Sequence, residues 1–189
     1  MTIDAAQLAA QAAGREPRAG ATRVVAIDGP AGSGKTTLAA LLAAEIPDSL
    51  VLNTDALYHG WDGLEEGARR LVREVLEPLA EGAPARFTAW DWQQEREGAV
   101  TTLPACATLI IDGAGSGSEA AAPFVSFLIW VDADPPTRRS RAIARDGEMF
   151  APHWERWAQQ EQLHFAAEAT RTRADLVIET TGDQPQSSQ

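Results

Sequence analysis

Eight consecutive residues, Gly29-Pro30-Ala31-Gly32-Ser33-Gly34-Lys35-Thr36, fill every fixed position of the pattern G-x-x-x-x-G-K-[ST]. Residue types in that order bind phosphate. Glycines let the backbone wrap an anion and turn its N–H groups inward, where side chains would stand in the way. A helix starting at the end of the loop adds its positive pole. Lys35 is then expected to reach the β- and γ-phosphates and the Thr36 hydroxyl to ligate magnesium. Gly29, Ala31, Gly32, Ser33, Gly34 and Thr37 complete the expected cradle. ATP with magnesium is the cofactor pair that this chemistry predicts.

A magnesium held by one hydroxyl and phosphates needs a carboxylate as well. Asp112 closes the run Leu109-Ile110-Ile111 and so falls at the carboxyl end of a strand, where ligands bind in open α/β sheets. It is expected to hold magnesium directly or through water; the alternative is a cap on the glycine-rich turn 113–117. Asp28 is a rival, but it immediately precedes the loop and can equally brace it. Asp55 ends a second strand, inside Thr54-Asp55-Ala56-Leu57-Tyr58-His59-Gly60. A carboxylate there can accept the proton of an acceptor hydroxyl, or simply cap a helix.

Arg138, Arg139, Arg141 and Arg145 crowd into one short stretch of a chain whose formal net charge is -11. At helical spacing Arg138, Arg141 and Arg145 share a face. Such a face suits a lid that closes over a transferred phosphoryl group and neutralises its charge. Pairing with Asp134, Asp146 and Glu148 on a solvated surface is the plain alternative.

Short apolar runs at 24–27, 50–52, 107–112, 124–131 and 175–180 alternate with helical patterns at 36–45, 64–79 and after Pro135 and Pro152. The alternation predicts an α/β fold of the P-loop NTPase type, with about five parallel strands covered by helices on both faces. The aromatic, polar stretch 84–104 reads as a hairpin inserted beside the acceptor side. A chain of 189 residues suits one domain. That domain is expected at 23–181, after a flexible Ala-rich leader (1–22), read as either a loose helix or a disordered stretch, and before a polar tail (182–189).

The acidic balance argues against a nucleic-acid polymer as partner. The single cysteine, Cys106, cannot make an intrachain disulfide and fits a reducing cytoplasm. No apolar run reaches the roughly 18 residues of a membrane span, and the leader is not a signal peptide. His59, His153 and His164 are too scattered to form a metal site. Of six tryptophans, Trp61, Trp90 and Trp92 lie where an acceptor could stack, while Trp130, Trp154 and Trp157 read as packing.

The strand leading into GPAGSGKTT, the D-A-L-Y segment at Asp55–Tyr58, the Trp90-Asp91-Trp92 segment, the I-I-D-G strand end and the arginine lid occur in one order. In that order the chain resembles the uridine kinases over most of 23–181. It is also similar to the wider group of nucleoside and nucleotide kinases, cytidylate kinases included. The resemblance implies transfer of the γ-phosphoryl group to a nucleoside. It makes Asp55 the catalytic base, Tyr58 and Trp90 walls of the acceptor pocket, and Asp91 a ligand of ribose hydroxyls. Lys35, Arg141 and Arg145 would be the catalytic cations. Two departures concern the acceptor: His59 stands where the family places a more basic residue, and no histidine-containing run follows Trp92. A nucleoside monophosphate kinase, gripping a second phosphate with Arg69, Arg70, Arg73 or Arg86, is the nearest rival. A P-loop ATP-binding regulatory module is a more distant one.

Overall fold

The computed structural model describes residues 4–181. Strand β1 (Arg23–Asp28) is the middle of a parallel five-stranded sheet of order β2-β5-β1-β6-β7. Its partners are β2 (Leu50–Asn53), β5 (Thr108–Asp112), β6 (Phe127–Asp132) and β7 (Leu176–Glu179). Strand β1 pairs with β5 on one side and β6 on the other, placing Ile27 opposite Asp112 and Asp28 opposite Trp130. Parallel strands buried on both faces need near-continuous apolar runs, and β1, β5 and β6 have them at 24–27, 109–111 and 127–131, with polar residues only at their ends.

Alternation along the strands divides the core in two. Val25 and Ile27 point to one face with Ile110, Phe127, Ile129 and Ile178. There they meet Leu38, Ala39 and Leu42 of helix α2 (Lys35–Glu45). Val24 and Ala26 point to the other face with Leu52, Leu109, Ile111 and Leu128. That face is covered by Leu71, Val75, Leu76 and Leu79 of helix α3, which runs over 64–80 with a wide π turn at Leu71–Leu76. Strands β3 (Ala85–Asp91) and β4 (Arg96–Leu103) form the expected hairpin, antiparallel and apart from the main sheet. Helix α4 (Pro135–Asp146) carries the arginines and is capped by Asp134, which accepts the Thr137 N–H. Helix α5 (Trp154–Glu168) then brings Trp154, Trp157 and Glu161 over the carboxyl ends of the strands.

One expectation needs correction. Residues 5–13, read as part of a flexible leader, form helix α1 (Ala5–Ala13), capped by Asp4. Its Leu8, Ala9 and Ala12 are buried against the α2 face of the core. An alanine-rich sequence lacks the apolar bulk that would announce packing, yet its small side chains let the helix approach α2 closely. The expected tail at 182–189 lies outside the described residues. Among those residues, no helix is long and apolar enough to cross a membrane.

Leu8→Ala is expected to destabilise the fold by about 2–5 kcal/mol, the range for emptying a packed leucine site. A urea midpoint unchanged from that of the parent chain would show that α1 is not part of the cooperative core.

Candidate active site

The strand ends converge on one cleft of about 850 Å3 at the carboxyl edge of the sheet. Ala31, Gly32, Gly34, Lys35, Thr36 and Thr37 line one side of it, and Asn53, Asp55, Asp112 and Gly113 line the floor. The crossover from β1 runs to β2 on one side of the sheet, and the connection from β5 runs past β1 to β6 on the other. That reversal of direction beside β1 is the place open α/β sheets use for ligands.

The phosphate-binding loop connects β1 to α2. Lys35 is the chain's single lysine, the other members of its Lys and Arg set being arginines. A compact ammonium on a flexible stem reaches into a loop where a planar guanidinium would not fit. Its Nζ donates to the Pro30 carbonyl at 2.9 Å, folded back along the loop. The Ser33 hydroxyl is buried with no hydrogen-bond partner in the protein, and Thr36 lines the cleft. Gly32 has a φ of 77°, and a Cβ there would lie 2.1 Å from the carbonyl oxygen of Arg138. Only glycine lets the lid helix seat directly on the loop.

Asp28 braces the loop, as its position immediately before it allowed. It is fully buried and accepts N–H groups from Gly29 (2.7 Å), Gly115 (3.1 Å) and Gly117 (2.8 Å). Burial raises its carboxyl above the ordinary range, while the N–H donors and the Lys35 and His164 charges pull the other way. Asp112 is buried at the end of β5 and accepts from the Asn53 amide at 3.1 Å. The next residue, Gly113, has a φ of 147°, and a Cβ there would stand 1.7 Å from Thr54 Oγ1.

Asp55 projects into the cleft from the end of β2. Its N–H is held by Asn53 Oδ1 at 2.7 Å and its carbonyl by Trp92 Nε1 at 2.9 Å. The side chain is open to water in the cleft, yet surrounding protein still raises its carboxyl, and the Asp112 charge adds to the rise. Arg145 and Lys35 oppose it, so these four groups feel one another across the same space.

The other expected residues separate into those the cleft gathers and those it leaves out. Tyr58 lines the cleft but is almost wholly buried; its hydroxyl donates to Ala114 O at 2.7 Å and contacts the Thr54 hydroxyl. Burial pushes that phenol well above its usual range, so it remains a donor. Arg141 reaches Thr180 twice, through Nη1 to the hydroxyl (2.8 Å) and Nη2 to the carbonyl (2.9 Å). The same Thr180 hydroxyl donates to Ser33 O at 2.7 Å, joining lid, last strand and phosphate loop. Arg145 lines the cleft and forks onto Asp146 at 2.8 and 2.7 Å. Arg138 does not share that face: it donates to Ala133 O and lines a shallow outer depression with Arg139 and Trp154. Trp90 and Asp91 are not among the lining residues. The Asp91 carboxylate takes the N–H groups of Gln93 and Gln94 at 3.0 Å, closing the hairpin turn, while Trp90 packs on His59.

Trp61 and Trp92 stand where the sequence placed an acceptor surface, whereas Phe150, Trp157 and Glu161 escaped sequence reasoning as contributors to the cleft. Trp92 and Trp61 stand at the acceptor side, their ring centroids 4.7 Å apart, with Phe150 stacked on Trp61 at 5.4 Å. Trp157 packs on Tyr58 at 5.0 Å. Glu161, one turn beyond Trp157, is buried beside the phosphate loop. The only local signal for the last two is their i, i+4 spacing.

The donor set fits magnesium nucleotide. Among the described residues no three His, Cys, Asp or Glu side chains cluster as a metal cage. Thr36 and Asp112 offer one hydroxyl and one carboxylate, the sparse set magnesium uses when phosphates supply the rest. The partnerless Ser33 hydroxyl and the cleft-facing loop leave polar groups for those phosphates.

The architecture is that of the P-loop kinases. A solved structure of a possible uridine kinase from Bacillus stearothermophilus superposes with a TM-score of 0.66 over 93% of this chain and 97% of its own, at 20% identity. A candidate fructose transport system kinase from Silicibacter sp. TM1040 superposes at 0.58 over 93% and 99%, at 19% identity. At those identities the likeness establishes the fold. In sequence, the chain is 30% identical to a cytidylate kinase of Rhodopirellula baltica over 124 residues. That match takes in 65% of this chain but spans less than half, 46%, of the relative. No protein-family model matches the chain.

Gly113→Ala is expected to cost about 1–3 kcal/mol of backbone strain alone. The displaced Thr54 would also shift Asp55, so turnover should fall further than thermal stability does. Parent-like turnover in a folded Gly113→Ala protein would show that the Gly113–Thr54 contact does not set Asp55.

Proposed function

We propose that the chain is an ATP- and magnesium-dependent kinase that transfers the γ-phosphoryl group to a small, uncharged hydroxylated acceptor, with a nucleoside such as uridine or cytidine foremost. The observation that carries this reading is the make-up of the cleft. Its lining cations are Lys35, Arg141 and Arg145, from the loop and the lid. The same cleft is lined by Asp55 and by the aromatic side chains of Tyr58, Trp61, Trp92, Phe150 and Trp157.

In this reading Thr36 and Asp112 hold magnesium with the nucleotide phosphates, which supplies charge neutralisation at the transferred group. The loop N–H groups and Lys35 orient the triphosphate. Asp55 accepts the proton of the acceptor hydroxyl, and its raised carboxyl makes it a better base than an ordinary aspartate. Arg145, held by Asp146, faces the charge that develops during transfer. The aromatic wall excludes water, so that the acceptor hydroxyl rather than solvent meets the phosphoryl group.

The named activity of the cytidylate kinase relative would favour a monophosphate acceptor. The side chains favour a neutral one. Arg70 is buried and spent on Glu74, Leu57 O, Thr88 O and His59, and Arg69 and Arg73 pair with Glu65, Glu66 and Glu74. Arg86 is on the hairpin and not among the lining residues. A second phosphate would meet indoles and carboxylates there. A purely regulatory module has no need of so many aromatic side chains lining the cleft beside Asp55. The lone cysteine suits a reducing, cytoplasmic location for such a kinase.

ATP consumption with magnesium should rise with at least one nucleoside and not with the matching monophosphate, and mass spectrometry should find the phosphorylated nucleoside. Lys35→Ala should remove that activity. Stimulation by monophosphates alone would replace this reading with its rival.

A further inference from the structure

One buried acid in the cleft has no part in the chemistry above. Glu161 is 3% exposed, and its Oε1 accepts two N–H groups, Ala31 N at 2.7 Å and Trp157 Nε1 at 2.8 Å. Ala31 belongs to the phosphate loop and Trp157 to the acceptor wall. An inward N–H of such a loop is where a phosphate oxygen is the natural acceptor. A carboxylate oxygen occupies it here.

Burial raises the Glu161 carboxyl, and Lys35 is the largest opposing influence, ahead of the Ala31 and Trp157 donors and the Arg138 charge. The Tyr58 phenol feels the same carboxylate. Glu161 thus draws on the ammonium and on a loop N–H that a triphosphate would also require. A second anion brought to the same donors would meet the repulsion of a carboxylate that is itself buried.

We propose, on the strength of the kinase reading, that Glu161 is an internal anion of the phosphate cradle which the terminal phosphate displaces, and that its release of Trp157 transmits nucleotide state to the acceptor pocket. Glu161 is a positioning residue in this scheme. A diphosphate leaves it seated; a triphosphate dislodges it and frees the indole that packs on Tyr58. The residue then discriminates against the triphosphate in the empty pocket and couples the two substrate sites.

Calorimetric titration of magnesium-ADP and magnesium β,γ-imido-ATP into the parent chain, Glu161→Gln and Glu161→Ala tests this. The glutamine keeps an acceptor oxygen without the charge; the alanine removes both. In both variants the preference for imido-ATP over ADP should rise by at least about fivefold, the lower range of such couplings. Imido-ATP, but not ADP, should change tryptophan emission in the parent, and Trp157→Phe and Glu161→Ala should each abolish that change. Equal shifts for both nucleotides, or an unchanged preference in a folded Glu161→Gln protein, overturn the proposal, because a simple strut would behave so. A parent chain that binds neither nucleotide defeats the kinase reading and this inference with it.

Discussion

A single buried carboxylate sets the geometry on which the site depends. Asp28 ends the central strand and gathers the N–H groups of Gly29, Gly115 and Gly117, so the phosphate loop and the loop after Asp112 are pinned to one group. Taking an ionised carboxylate out of water is costly, by several kcal/mol before compensation. Three backbone donors offset that cost where a ligand is expected to bind. The glycines are part of the same device, since a Cβ at Gly117 would lie 3.2 Å from Asp28 Oδ2 and 2.5 Å from Leu128. The metal-holding candidate Asp112 and the phosphate loop therefore cannot drift apart without breaking this knot.

A second set of ties fixes the lid and the far strand to the same loop. Thr180 stands at the end of β7, takes Arg141 on its hydroxyl and carbonyl, and donates its own hydroxyl hydrogen bond to Ser33 O. Helix α4 seats on Gly32 through the Arg138 carbonyl. On the acceptor side Arg70 ties the Asp55–Gly60 segment to the hairpin by bonding Leu57 O and Thr88 O together. Every wall of the cleft is thus secured to its neighbour by a side chain bonded to backbone, the arrangement that holds catalytic groups to tight tolerances.

What the sequence disclosed was local. The phosphate loop, the strand-end aspartates and the alternation of strands and helices are encoded in consecutive residues, and the P-loop kinase fold followed from them. What it concealed depends on contacts distant along the chain. Asp91 was expected to face a sugar, but it caps the hairpin turn and so swings Trp92, not Trp90, toward the Asp55 carbonyl. Arg138 left the arginine face because its donor group finds Ala133 O at the start of its own helix. Glu161 reaches Ala31 across 130 residues, a contact no local pattern announces. The packing of α1 was hidden because alanines show little amphipathic contrast.

The role of Asp55 is the claim on which the functional reading turns, and Asp55→Asn isolates it. The amide is similar in size and keeps the backbone bonds to Asn53 and Trp92, but it cannot take a proton. Magnesium β,γ-imido-ATP binding and phosphoryl transfer should be measured on the same preparation. Affinity is expected to remain close to that of the parent chain while transfer falls by about 10²- to 10⁴-fold, the span of general-base catalysis. Undiminished transfer by a folded Asp55→Asn protein would contradict the assignment of the base and the acceptor side built around it.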